Sequence, residues 1–233
     1  MATTAPLVVP ALKKHTATVI WAHGLGDSGA GWSGQSSLIA STLDSDHRIG
    51  CQLQRTSEDE ADSLIELELE FWDGNARLTS FDDLAQAHDQ PGILKSRDYF
   101  NALIKAEIEK GIPSSRIVLG GFSQGGAISL FTGITSPDKL AGIFGLSSYL
   151  LLHNKIKDYV KSESTNKDTL IFMGHGNKDP MVKYEWGLDT SKVLREMGWV
   201  VDFRTYEGLA HSADPTEIDE LEQYLDERLP PLS

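Results

Sequence analysis

The chain alternates between short apolar runs and longer stretches with one apolar face. Thr16–Ala22, Ile117–Leu119, Leu140–Leu146 and Thr169–Met173 are β-branched or apolar nearly throughout, the composition of buried strands, and Val200–Tyr206 alternates as a further strand. Helical spacing falls between them. Trp32–Leu43 reads as a helix, and Ser96–Lys110 sets Tyr99, Phe100, Leu103, Ile104 and Ile108 on one face before Gly111 and Pro113 stop it. Ala127–Phe131 and Thr190–Met197 suit helices. Asp214-Pro-Thr-Glu217 opens a last one as N-cap, first-position proline and an acid at the third position, with Ile218, Leu221, Leu225 and Leu229 as its buried face. Lys155–Lys167 is polar and reads as a surface crossing. Arg48–Trp72 supports two readings. Ile49, Cys51 and Leu53 alternate, as do Ile65, Leu67, Leu69 and Phe71, yet Leu64, Leu67 and Phe71 also make a helical stripe rich in strong helix formers.

Strands separated by helices predict an α/β fold, a mainly parallel central sheet with helices on both faces. No linker divides residues 1–233, and that length suits a single compact domain.

Composition narrows the functional classes. Net charge is −13, and Thr56–Gln90 holds eleven Asp/Glu against Arg77 alone, so ten of the thirteen excess charges sit in one segment. The rest of the chain is near neutral, which argues against a nucleic-acid or anionic-membrane surface. No run of about 18 apolar residues is present, so stable membrane insertion is not expected. Lys13-Lys14 follow the first apolar residues instead of preceding them, the wrong order for a signal peptide. Cys51 is the only cysteine, which excludes an intrachain disulfide and a cysteine-rich zinc site and is compatible with a reducing compartment. These features together predict an intracellular protein.

Candidate chemistry centres on Gly121-Phe-Ser123-Gln-Gly125, between an apolar run and a helical stretch. Strand, G-x-S-x-G and helix in that order is the context of a nucleophile elbow. Small residues on each side allow the sharp turn, and the serine hydroxyl then stands at a helix N-terminus, where free N–H groups favour developing negative charge. A glycine-rich turn that merely contains a serine is the plain structural alternative.

The rest of the chain decides between them. Serine acyl transfer needs a base, a carboxylate to hold it and donors for the oxyanion. Ser123, Asp179 and His211 each follow a predicted strand, where sites gather in an open parallel sheet, and they occur in the order Ser, Asp, His known for α/β-hydrolases. His175 is the rival base, though its place at a strand end suits support of the Asp179 loop. His15, His47, His88 and His153 read as solvated, and Asp202 and Asp214 are weaker rivals to Asp179. The loop His23–Gly31 has no G-x-G-x-x-G or G-K-[ST], so a phosphate cradle is poorly supported. Its other use is to bring a backbone N–H to an oxyanion, with His23 in a structural hydrogen bond.

Four blocks, Val19–Trp32, Gly120–Ala127, His175–Pro180 and Tyr206–His211, resemble the acyl-protein thioesterase/lysophospholipase family of small α/β-hydrolases. The similarity covers roughly residues 6–47 and 80–231. It implies a serine hydrolase that removes S-linked palmitate from cysteines of lipidated proteins, with S-acylated proteins and lipid-like acyl esters as substrates. It also implies no cofactor or metal, and a cytoplasmic location with the nucleus as a second. Ser123 matches the nucleophile, Asp179 and His211 its partners, and the backbone N–H groups of Leu25 and Gln124 the oxyanion donors.

The resemblance lapses from about Arg48 to Ser80. There the family's strand ending in Pro-x-Ala-Pro is replaced by Gln52–Asp62, with Trp72-Asp73 as a remnant of a Trp-aromatic-Asp element. This section would supply a sheet strand and part of the acyl groove, and it coincides with the acidic segment. Two alternatives to a protein thioesterase therefore stand: a broader carboxylesterase or lysophospholipase, and a non-catalytic variant disabled by the divergent segment.

Overall fold

The apolar runs pair into one seven-stranded sheet. A computed structural model describes residues 7–9, 15–24, 49–53, 81–82, 88–160 and 164–230. Its strands are β1 (Leu7–Val9), β2 (Ala17–Ala22), β3 (Ile49–Leu53), β4 (Ile117–Phe122), β5 (Gly142–Leu146), β6 (Ile171–Gly176) and β7 (Val201–Tyr206). Its helices are α1 (Gln90–Glu109), α2 (Gln124–Thr135), the single turn α3 (Ile156–Tyr159), α4 (Tyr184–Glu196) and α5 (Pro215–Arg228). Strand order is β1-β3-β2-β4-β5-β6-β7; the six strands from β3 to β7 run parallel, and β1 is antiparallel to β3.

Period-two alternation sorts the core into two halves. Ile20, Ile117, Leu119, Ile143, Ile171 and Met173 meet α1, α2 and α4 through Phe100, Ile104, Leu130, Phe131 and Leu194. Val19, Trp21, Val118, Phe144 and Phe172 meet α5 through Ile218, Leu221, Leu225 and Leu229, the face its spacing predicts.

Several elements differ from the sequence reading. Ile49–Leu53 is a strand seated between β1 and β2, so the replaced section still supplies a member of the sheet. The stretch 54–80 and the helix expected over 32–43 lie outside the described residues. Helix α1 starts six residues before Ser96, because Asp89 caps it by accepting from Gly92 N at 3.2 Å, with Pro91 in the first turn. Helix α4 starts at Tyr184, where Gly187 weakens the local pattern but burial of Trp186 and the close approach of Gly187 to His175 hold the turn.

The α5 start matches its prediction: Asp214 Oδ1 accepts from Thr216 N at 2.8 Å, and Glu217 follows at the third position. Glu217 is fully buried, its carboxyl so close to Gly174 of β6 that a Cβ there would lie 2.3 Å from Oε1. Burial, with the charges of Asp214 and Glu220 adding to it, pushes this carboxyl up to about 8. An acid raised on folding leaves the native state holding a proton that the unfolded chain releases above its ordinary value of 4.5. Stability from this group is therefore full below pH 4.5 and is lost, at up to about 1.4 kcal/mol per pH unit, until pH 8. Glu217→Gln, which keeps the shape of the side chain but carries no titrating proton, is expected to gain on wild type steadily over that window in urea titrations. A pH-independent difference would show that Glu217 does not carry this proton.

Candidate active site

The strand order puts Ser123 at a topological switch point of the sheet. The connection after β2 leads to β3 on one side, and the helix after β4 leads to β5 on the other. Diverging connections between neighbouring parallel strands open a cleft at their carboxyl ends, the usual ligand position in such sheets.

Ser123 stands at the turn from β4 into α2 with φ 55° and ψ −123°, a left-handed backbone that is strained for a serine. Its N–H donates to Leu146 O at 2.8 Å, which ties the turn to β5. The flanking glycines are required by packing. A Cβ on Gly121 would lie 2.2 Å from Ala22 O and 2.8 Å from the Gly125 carbonyl carbon; one on Gly125 would lie 2.2 Å from Ala22 O and 2.4 Å from His23 O. The elbow is thus wedged against the end of β2, and only hydrogen on these two α-carbons lets strand and helix meet there.

The Ser123 hydroxyl is the start of an unbroken polar chain. Its Oγ is 3.0 Å from His211 Nε2, and His211 Nδ1 is 2.7 Å from Asp179 Oδ2. His211 comes from the loop after β7, is only partly exposed, and packs against the Phe122 ring at 4.7 Å between centroids. Asp179 comes from the turn after β6, and its side chain is fully buried. Met181 N and Val182 N both donate to Asp179 Oδ1, at 2.8 and 2.9 Å. Burial alone would raise this carboxyl. The ring N–H groups of His175 and His211, then the charge of His211 and the Val182 N–H, outweigh that and hold it well below the usual carboxylate range. An ionised Asp179 requires the Nδ1–H tautomer of His211, which leaves the Nε2 lone pair to accept the Ser123 proton. The Asp179 contribution to stability is full above the ordinary carboxylate value of 3.8 and is lost only as pH falls through its lowered one.

The other sequence-selected positions sort as follows. Gln124 is the first residue of α2, so its N–H has no intrahelical acceptor and lies next to Ser123. Leu25 lies outside the described residues, as does His47. His23 makes its structural hydrogen bond, Nδ1 to Gly24 O at 2.8 Å. His175 is fully buried and directs Nε2 to Val182 O at 3.0 Å, far from a role as base at the serine. Asp202 pairs with Arg204, and Asp214 caps α5.

His88 and His153 correct the expectation of solvated rings. Leu152 N donates to His88 Nδ1 at 2.9 Å, and burial, aided by His153, pushes His88 down to about 3. His153 stacks on Phe81 at 3.7 Å and lies 3.2 Å from Asp82. Their polar neighbours in sequence concealed contacts made across the fold. Among the described residues no three His, Cys, Asp or Glu side chains converge as metal ligands.

A largely parallel sheet with a serine elbow after β4, a carboxylate after β6 and a histidine after β7 defines the α/β-hydrolase class of enzymes. Within that class the chain belongs to the phospholipase/carboxylesterase family, whose model matches residues 75–229. An acyl-protein thioesterase 1 of Emericella nidulans is 47% identical over 236 residues, covering 97% of this chain and 96% of the relative. The corresponding protein of Aspergillus fumigatus is 44% identical, with coverage of 97% and 94%. Among solved structures, Arabidopsis thaliana SOBER1 superposes with a TM-score of 0.72 at 26% identity, covering 92% of this chain and all of that one. The first alignment runs nearly end to end in both chains.

Proposed function

We propose that this protein is a serine thioesterase that cleaves S-palmitoyl and related S-acyl thioesters from cysteines of lipidated proteins. The observation that carries the chemistry is the continuous Ser123–His211–Asp179 hydrogen-bond chain. The substrate class is supported by relatives at 47% and 44% identity that are named acyl-protein thioesterase 1.

In this reading Ser123 Oγ attacks the thioester carbonyl as His211 Nε2 takes its proton. The oxyanion is held by the N–H groups of Gln124, at the positive end of α2, and of Leu25. Collapse breaks the C–S bond, and the cysteine sulfur leaves with the proton from His211. Water, activated by the same imidazole, then adds to the acyl-enzyme, and the fatty acid departs as the proton returns to Ser123. Asp179 keeps the imidazole in one tautomer and balances its charge in both half-reactions. No cofactor or metal enters this scheme, and no nucleic acid is a partner.

No helix among the described residues is long and apolar enough to cross a membrane. We place the enzyme in the cytoplasm, with the nucleus as a second location, which the single cysteine is compatible with and which fractionation of tagged protein tests. A second reading, a broader carboxylesterase or lysophospholipase, is favoured by the description of the matching family. Comparative kcat/KM values separate the two. A palmitoyl-cysteine peptide is expected to exceed a lysophospholipid and a short oxyester by at least about tenfold, a difference of some 1.4 kcal/mol in transition-state binding. Equal or inverted rates would favour the broader esterase.

A further inference from the structure

We infer that His175 is a positioning residue for the reaction, holding the Asp179 carboxylate in the orientation that His211 needs. This rests on the assignment of Asp179 to the triad. His175 ends on β6 four residues before Asp179 and is fully buried. Its Nε2 is 3.0 Å from Val182 O, and a carbonyl can only accept, so Nε2 carries the proton. Val182 in turn donates its own N–H to Asp179 Oδ1 at 2.9 Å. The imidazole therefore locks the carbonyl side of a residue whose amide side fixes the carboxylate.

The same Nε2 also faces the other oxygen, 3.6 Å from Asp179 Oδ2. That distance is too long for a full hydrogen bond, but it sets a positive ring edge beside the oxygen that receives His211 Nδ1–H. The Oδ2 atom thus lies between two imidazoles, one toward the cleft and one toward the core.

Packing allows His175 little freedom. Its Nδ1 abuts Gly187 of α4 so closely that a Cβ at that position would lie 2.3 Å away, and the Tyr184 ring meets the imidazole edge-on at 5.9 Å. Within 4 Å of the Gly187 α-carbon side the three nearest atoms all belong to this imidazole, so glycine there matches the demand of His175. Helix α4 thereby fixes the ring that fixes the carboxylate.

The test compares His175→Phe, which removes the N–H, with His175→Gln, whose amide nitrogen reaches the Nε2 position, on a chromogenic acyl ester. His175→Phe is expected to lower kcat about 10- to 100-fold with KM within about threefold, because a displacement near 1 Å in a catalytic group costs on this scale. His175→Gln is expected to return to within a few-fold of wild type. In an Asp179→Asn background His175→Phe is expected to add almost no further loss, measured as the rate constant for fluorophosphonate labelling. If His175→Phe does not fold, His175→Asn replaces it, since its shorter amide withdraws the donor from Val182 while staying polar; Asn is then expected to fall well below Gln. A folded His175→Phe or His175→Asn with wild-type kcat, a Gln variant no better than Phe, or full additivity with Asp179→Asn would overturn the inference. Should Asp179→Asn itself leave turnover intact, the triad assignment is what fails, and this inference falls with it.

Discussion

Ser123→Ala is expected to reduce turnover by about 10⁶-fold and to abolish labelling by a serine-directed fluorophosphonate, while the protein stays folded. Loss on this scale follows because Ser123 Oγ, 3.0 Å from His211 Nε2, is the only hydroxyl among the described residues hydrogen-bonded to that atom. Stability is preserved because the contact that anchors the turn is the backbone Ser123 N–H to Leu146 O, which alanine keeps. Alanine also inherits the same positive φ of 55° with a side chain no larger, so the strain is not increased. The unfolding temperature is expected to shift by less than about 2 °C, the equivalent of well under 1 kcal/mol in a chain of this size. The labelling experiment also decides the non-catalytic alternative. Folded wild-type protein that does not label would show that the divergent acidic segment has disabled the site, and the substrate assignment would lapse with it.

Asp179→Asn is expected to lower turnover by about 10⁴ with little change in fold. The orientation of the new amide is dictated by its surroundings. Two backbone donors, Met181 N and Val182 N, converge on the Oδ1 position, so the amide oxygen must occupy it. The NH₂ group then faces His211 Nδ1, which can meet it only with a lone pair. That forces the proton onto His211 Nε2, the atom that has to accept from Ser123. The NH₂ would also face the Nε2–H of His175, two donors opposed, which reinforces the loss. Steady-state kcat on an acyl ester, with circular dichroism to verify the fold, checks it. A loss of only a few-fold would point to a different carboxylate.

Legibility from the sequence was greatest where one local pattern had one physical meaning. Asp214-Pro-Thr-Glu217 is a helix start whatever surrounds it, because its cap and its proline act within four residues. The same chemistry acts at Asp89-Gln-Pro91, where the Pro-Gly pair that follows is equally compatible with a turn. The glycine is what leaves room for the cap, a Cβ there falling 2.2 Å from Asp89 Oδ2. Alternation over Ile49–Leu53 suggests a strand, but inside Arg48–Trp72, which also carries a helical stripe at Leu64, Leu67 and Phe71, five residues are weak; hydrogen bonding to β1 on one side and β2 on the other decided it. The burial of His88 and His153 had no local signal at all. Their partners, Leu152 N and Phe81, lie 64 and 72 residues away in the chain.

By itself the sequence determined the α/β alternation, the serine turn between strand and helix, and the order Ser123, Asp179, His211 at three strand ends. Each of these is a statement about neighbouring residues, and hydrophobic period, glycine and capping chemistry act over a few positions. Only the tertiary structure decided that Asp179 Oδ2, His211 and Ser123 Oγ fall into hydrogen-bond distance, that Glu217 is buried, and that His175 turns its back on the serine to brace the Asp179 turn. Those are distances and burials set by how strands register and how α4 and α5 close on the two faces of the sheet. No pattern along the chain encodes them one residue at a time.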